Sequence, residues 1–272
     1  MENKKFKRPY YYVYPTINSG GVVYVNDVPV MSNIGEKSKT GMISGQMPIN
    51  HVLLQSGKYD VVGKMFPRSG EKAITEKESF MIDLEMFDAG LNWKETDHEF
   101  SPSIETPWHG LSENIEYPAF EIATKIEVEL PFVLDGWQNS VDLREVKDIW
   151  QTTILYFRKL HDILRNHDAQ KFLELSAEKE KLQATAFYYD EAKREGIRQS
   201  IIGLFAENLE VMPLDESKLK LEFWGYGRLV TLTRIDGSAA LQFLSPDPET
   251  QSNVELEVKL HMKKENEELC II

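Results

Sequence analysis

Cysteine is nearly absent. Cys270 is the only one in 272 residues, so no internal disulfide can form and a reducing compartment is permitted. It stands third from the end, in Cys270-Ile271-Ile272, whereas a prenylation box places the cysteine fourth. No apolar run approaches the roughly 18 residues that a membrane helix needs. The first residues, MENKKFKRPYYYVYP, carry basic groups without an apolar stretch behind them, which is not the form of a secretory signal. A soluble, cytoplasmic protein is therefore expected. Signatures of catalysis are missing too. There is no G-x-S-x-G elbow, no G-x-G-x-x-G and no Walker loop. Gly225-Tyr226-Gly227 sits between expected strands and lacks the helix N-terminus that would hold a phosphate. No motif asks for a cofactor.

Positive charge is scarce as well. The net charge is −13, from 31 Lys and Arg against 44 Asp and Glu, and it is unevenly spread. Residues 1–80 hold 11 basic and 7 acidic residues, residues 81–135 hold 2 and 13, and residues 136–272 hold 18 and 24. A segment at −11 disfavours phosphate backbones and anionic lipid, which want a basic face. It suits a basic partner protein instead. What is present is ordinary for a folded chain: 42% hydrophobic and 28% charged residues, at a length that accommodates two domains.

In the first half the pattern is one of short strands. Tyr10-Tyr11-Tyr12-Val13-Tyr14 is aromatic and β-prone, and Pro15 is expected to halt it. Val22-Val23-Tyr24-Val25 and Val28-Pro29-Val30-Met31 flank Asn26-Asp27, a two-residue hairpin signal, with Pro29 marking an edge strand. Further extended runs cover residues 47–54, 59–67 and 79–87. Residues 88–112 lose all periodicity and read as an irregular loop or linker, with Trp93 and Trp108 as anchors. Ile126, Val128 and Leu130 alternate with Glu127 and Glu129 in a last extended stretch, placed with the first half. The expectation is an antiparallel β-sandwich over residues 1–135.

The second half, residues 136–272, changes period. Leu143, Val146, Trp150, Ile154, Phe157, Leu160 and Leu164 fall at steps of three and four, so one apolar stripe runs along a helix over residues 141–165. Asp142 and Glu145 have the spacing of a capping box at its start. Asp168 is placed to cap a short helix through Leu175; a charged helix over 178–195 should end at Gly196, and Ile197, Ile201, Leu204 and Phe205 give a last apolar face. Helices are thus expected within 141–207 and strands within 218–262, turning at Gly225-Tyr226-Gly227 and Asp236-Gly237, with a fourth strand over 254–260. Helices grouped before an antiparallel sheet make the class α+β, with the helical segment packed on the C-terminal sheet.

Candidates for chemistry are few. His161-Asp162 and His167-Asp168 are two HD pairs, but six residues turn a helix by about 240°, so the histidines cannot share a metal from one helix. His161 reads as a partly buried core histidine. His98 and His109 lie in the irregular stretch without partners at defined spacing. Pro246-Asp247 followed by Glu257-Val258-Lys259 matches the PD…ExK pattern of Mg²⁺-dependent nucleases, yet Pro-Asp opens turns and Glu-x-Lys is an ordinary exposed strand face. No metal site and no catalytic group is assigned. Trp224, Tyr226 and Arg228 form a candidate aromatic and cationic contact cluster; Trp93, Asp97, Glu99, Glu105 and Trp108 are the contact candidates of the acidic stretch.

Two resemblances accompany these readings. Pro48-Ile49-Asn50, Leu53-Leu54-Gln55-Ser56-Gly57, Tyr59-Asp60-Val61 and Pro67 resemble the crossover of immunoglobulin-like or jelly-roll accessory domains. Phe157-Arg158-Lys159-Leu160 and the run from Asp168 to Leu175, followed by a strand meander, look like the nuclear-transport-factor-like cone fold in its polyketide-cyclase type, over residues 141–262. That fold implies helices on one side of a curled sheet and a pocket within. Acidic proteins of this two-part build look like bacterial immunity proteins, the cognate inhibitors of secreted toxins. The expectation is a non-catalytic protein that binds a basic, toxin-like partner through acidic surface, with neither nucleic acid nor membrane as partner. The alternative is a small-molecule binder or enzyme using a pocket in the C-terminal domain.

Overall fold

Side-chain alternation builds the N-terminal half and helical periodicity the C-terminal one. The computed structural model of the chain describes residues 6–90, 99–108, 114, 116–265 and 267–272, without the side chains of 99–102. It divides into two compact units, Met1–Leu134 and Asp135–Ile272. Among the described residues, antiparallel sheets together with four helices make it α+β. No helix among the described residues is long and apolar enough to cross a membrane.

The first unit contains β1 (Pro9–Asn18), β2 (Gly20–Val25), β3 (Val28–Asn33), β4 (Ile43–Ser44), β5 (Met47–Pro48), β6 (Gly57–Phe66), β7 (Ser79–Asp88), β8 (Glu99–Glu105) and β9 (Phe120–Val128). One sheet has the order β4-β1-β7-β8, with β5 also on β1; the other has the order β3-β2-β6-β9. Asn26 and Asp27 turn the β2–β3 hairpin at φ 54° and 59°, and Pro29 lies on the edge strand β3. Two expectations need correction. Pro15 does not end β1: it falls where the neighbour on one side is interrupted, between β5 opposite Tyr12 and Val13 and β4 opposite Thr16 and Ile17. The stretch 88–112 is not all linker, because Glu99–Glu105 pairs with β7 and Thr106 N–H continues to Phe80 O at 3.0 Å. Tertiary pairing supplies what its local pattern does not.

Val13, Ile17, Val61, Met65, Phe80 and Ile82 are fully buried in this unit. Gly63 on β6 lets them close up. A Cβ there would stand 3.0 Å from Ile122 and Ile82 and 3.1 Å from Phe80.

The second unit contains α1 (Ile149–Arg165), α2 (Ala169–Leu175), α3 (Ala177–Ala186), α4 (Glu191–Ala206), β10 (Leu219–Trp224), β11 (Leu229–Arg234), β12 (Leu241–Phe243), β13 (Val254–Leu256), β14 (Leu260–His261) and β15 (Cys270–Ile271). One sheet has the order β10-β11-β14-β15, and β12 pairs with β13 separately. The stripe Ile154, Phe157, Leu160 and Leu164 packs into one core with Phe172, Phe205, Val230, Leu232, Phe243 and Leu260.

Helix α1 starts eight residues later than the apolar spacing predicts. Asp142 caps only a single 3-10 turn, accepting from Arg144 N–H. The backbone ahead of the helix is spent on the sheet: Val141 N–H donates to Met262 O at 2.9 Å and Leu143 N–H to Gly227 O at 2.8 Å. Asp168 does cap α2, accepting from Lys171 N–H. The charged helix expected to end at Gly196 is instead two helices, parted where Tyr188 takes φ 55° and Asp190 caps α4, which runs through Gly196. The expected fourth strand is also divided: β13 pairs with β12, whereas β14 pairs with β11 and β15. Cys270 stands third from the end, yet it is not left loose. It lies in β15 opposite His261, because Leu269, Ile271 and Ile272 are buried and hold the segment down.

Two glycines separate packing from propensity. Gly63→Ala is expected to cost about 1–3 kcal/mol through overpacking. Gly203→Ala, on α4 with nothing within 4 Å of the added carbon, is expected to gain about 0.5–1 kcal/mol from helix propensity. Urea unfolding of the two variants checks both signs; an equal effect at the two sites would contradict this packing.

Candidate functional site

The period of two along β1 sorts its side chains. Val13, Pro15 and Ile17 are buried, which leaves Tyr12, Tyr14 and Thr16 on the opposite face. β7 does the same, burying Phe80, Ile82 and Leu84 while Met81, Asp83 and Glu85 stay partly exposed. Register places Tyr10 opposite Phe87, Tyr12 opposite Glu85 and Tyr14 opposite Asp83. Three rings gather there: Tyr10 to Tyr12 at 5.0 Å between centroids, Tyr10 to Phe87 at 5.7 Å and Tyr12 to Phe87 at 5.3 Å, both Phe87 pairs stacked. Tyr14 is 42% exposed. Gln46 Nε2 donates to Glu85 at 3.0 Å, Ser103 Oγ donates to Asp83, and exposed Glu105 stands opposite Met81 at the end of β8. Aromatic rings beside carboxylates can meet a cation by its charge and by its contact with a π-face.

The tyrosines are legible as strand but not as surface; the signal is tyrosine at every second position, 10, 12 and 14, within Tyr10-Tyr11-Tyr12-Val13-Tyr14. Of the contact residues expected from sequence, Trp93 and Asp97 lie outside the described residues, as do His98 and His109, and so does the side chain of Glu99. Glu105 joins the face just described. Trp108 is corrected to a core anchor: it is 3% exposed, donates its indole N–H to Glu78 O at 2.8 Å and meets Phe120 edge-on at 4.7 Å. Trp224 ends β10, and Tyr226 and Arg228 lie in the turn that leads to β11. Lys259 Nζ lies 5.4 Å from the Trp224 ring, Tyr226 is 46% exposed, and Arg144 donates to its carbonyl at 3.1 Å. Arg144 also holds the Asp142 carboxylate by hydrogen bonds that pull its pKa down to about 2, with Arg228 adding a smaller attraction.

Three of the described histidines pack within the second unit. His161 Nε2 lies 3.1 Å from Met212 O, and His167 stacks on Phe243. His261 is wholly buried, its Nδ1 2.7 Å from Ser140 Oγ. Glu178 Oε1 lies 3.1 Å from Nε2, yet out of line for a hydrogen bond, and its other oxygen pairs with Lys263 Nζ at 2.8 Å. Burial pushes the His261 pKa down despite the nearby carboxylate. Serine, histidine and glutamate thus meet, but Ser140 is itself buried, and the three join the turn before α1 to β14 and α3. Asp247 is occupied by its own turn, accepting from Thr250 Oγ1, and Glu257 pairs with Lys259. Among the described residues no three His, Cys, Asp or Glu side chains group to hold a metal ion.

A cavity of about 180 Å³ opens in the second unit. Phe172 and Leu173 of α2, Ile197 and Ile201 of α4, Val258 and Ile271 give its apolar wall. Lys179, Glu180 and Gln183 of α3 and Arg194 and Arg198 of α4 supply its polar lining. Glu180 takes both guanidiniums, each through two N–H groups: Arg194 at 3.2 and 3.1 Å on one oxygen, Arg198 at 3.1 and 3.0 Å on the other. Among the described residues Lys179 Nζ reaches only the Glu257 carbonyl, at 3.4 Å. Its pKa falls to about 8, chiefly through burial, with Lys259 adding repulsion and Glu257 opposing.

With this geometry in hand, comparison with known proteins returns nothing: no family model, no curated protein and no solved structure matches the chain.

The Lys179 pKa carries a sign. In the folded chain the ammonium gives up its proton near pH 8 and in the unfolded chain near 10.5, so its charge destabilises the fold below pH 8. That penalty disappears as pH rises from about 8 to 10.5. Lys179→Met is therefore expected to raise the unfolding free energy at pH 7 by roughly 1–3 kcal/mol, the upper figure being reduced because the residue is only half-buried. The advantage over wild type should shrink to nothing near pH 10.5, as read by denaturant unfolding at both pH values. An advantage independent of pH would contradict the assignment.

Proposed function

We propose that the chain is a non-catalytic interaction protein of the immunity type, an inhibitor that receives a basic, toxin-like protein on its N-terminal unit. In the finer reading of the fold, that unit is an antiparallel β-sandwich of the accessory kind. The C-terminal unit is then cone-like, with its helices packed on its sheet. One observation carries the functional reading: Tyr12 and Tyr14 stand beside Glu85 and Asp83 on a single sheet face, with Glu105 at its margin. Tyrosine is enriched among the residues that dominate protein interfaces, because it brings a large rigid ring and a polar end. The carboxylates add attraction for lysine and arginine and speed encounter at low salt. The acidic balance of residues 81–135 extends the same field.

Co-expression with the products of the genes flanking its own tests the reading. A basic product should co-purify, and its affinity should fall as salt rises. Tyr12→Ala, and separately the triple change Asp83→Lys, Glu85→Lys and Glu105→Lys, should each weaken the complex by about thirtyfold, the loss of a central contact worth ~2 kcal/mol. If no basic product binds, or if both variants bind like wild type, the reading is wrong.

A further inference from the structure

We propose that the cavity between α2, α3 and α4 binds a small organic anion, a monocarboxylate on a compact apolar body, its carboxylate held by Lys179 and Arg198. This site lies in the second unit and is independent of the partner face on the first. Size sets the first limit. An apolar cavity of about 150 Å³ takes up benzene, so 180 Å³ has room for one ring and a carboxylate. The wall of Phe172, Leu173, Ile197, Ile201 and Ile271 suits the hydrocarbon part.

Charge sets the second limit. Three cationic side chains line the space against two carboxylates. Of those, Glu180 is taken up by both guanidiniums, and the side chain of Glu257 is 70% exposed and paired with Lys259. Glu191 also pairs with Arg194 at 2.9 Å, which leaves the Lys179 ammonium and one edge of Arg198 for a ligand. Arg198 spends Nε and Nη2 on Glu180, which leaves Nη1 without a partner among the described residues. Lys179 Nζ has three N–H donors and, among the described residues, only a long contact to one carbonyl. An anion would replace the water that the ammonium gives up on burial, and the depressed Lys179 pKa is in keeping with that deficit. The Glu180 clamp fixes α3 against α4, so the donors are held in place before a ligand arrives.

Benzoate and the neutral, similarly shaped benzyl alcohol are the probes, followed by ligand-observed NMR and by the shift in thermal midpoint of the full chain. Benzoate is expected to bind saturably and at least about tenfold more tightly than benzyl alcohol. Lys179→Met should remove that preference while benzyl alcohol binding changes less than about twofold. Ile201→Phe, which fills the apolar end and keeps the cations, should weaken both probes together; it carries the test alone if Lys179→Met does not fold. Equal binding of the two probes by wild type, indifference to Ile201→Phe, or no saturable binding of benzoate each overturns the proposal.

Discussion

A two-residue repeat governs the N-terminal unit. Once Val13, Pro15 and Ile17 are buried on one side of β1, the residues between them have only the other side to occupy, and a slip of one position would exchange the two sets. The burial is enforced by close packing around Gly63, where Phe80, Ile82 and Ile122 converge on a position without a side chain. Tyr14 is therefore exposed, and Tyr12 partly so, on the face that the core does not use. Carboxylates arrive beside them through the pairing of β1 with β7. A stability requirement on one face thus determines which side chains the other presents.

The C-terminal unit answers to a different constraint, the demand that every backbone group find a partner. The residues ahead of α1 pair with the sheet at Met262 and Gly227, which delays the helix and fixes its entry. His261 then links this turn with β14 and α3 through Ser140 and the nearby Glu178, and Leu269, Ile271 and Ile272 close the far edge. What the packing leaves open is a space between three helices, with two arginines tied to one glutamate at its rim and a poorly solvated lysine within reach.

How much of this could be read beforehand depended on the range of the interaction. Turns written in two or three residues were legible: Asn26-Asp27 at φ 54° and 59°, Asp168 as a cap, Gly225-Tyr226-Gly227 between β10 and β11. So was the stripe of α1 from Ile154 to Leu164, since its period is local. The late start of α1 was not, because its cause lies at Gly227 and Met262, some eighty and a hundred and twenty residues away. The same holds for β8, which forms against β7, and for β15, whose two residues pair with Leu260 and His261. The cavity draws its wall from four separate segments and has no sequence signature. Trp108 misled for the opposite reason, since an aromatic residue in an acidic loop looks like a contact residue until its indole is seen to serve the core.

The claim on which the functional account rests is that Tyr12 and Tyr14 form the surface a basic protein covers. Fluorotyrosine labelling tests it directly, with each ¹⁹F resonance assigned by a Tyr→Phe variant and the basic partner then titrated in. The resonances of Tyr12 and Tyr14 should shift or broaden. That of Tyr59, whose hydroxyl is engaged by the backbone of Gln55 in the same unit, should stay in place. A saturated complex in which Tyr12 and Tyr14 are unmoved would contradict the account.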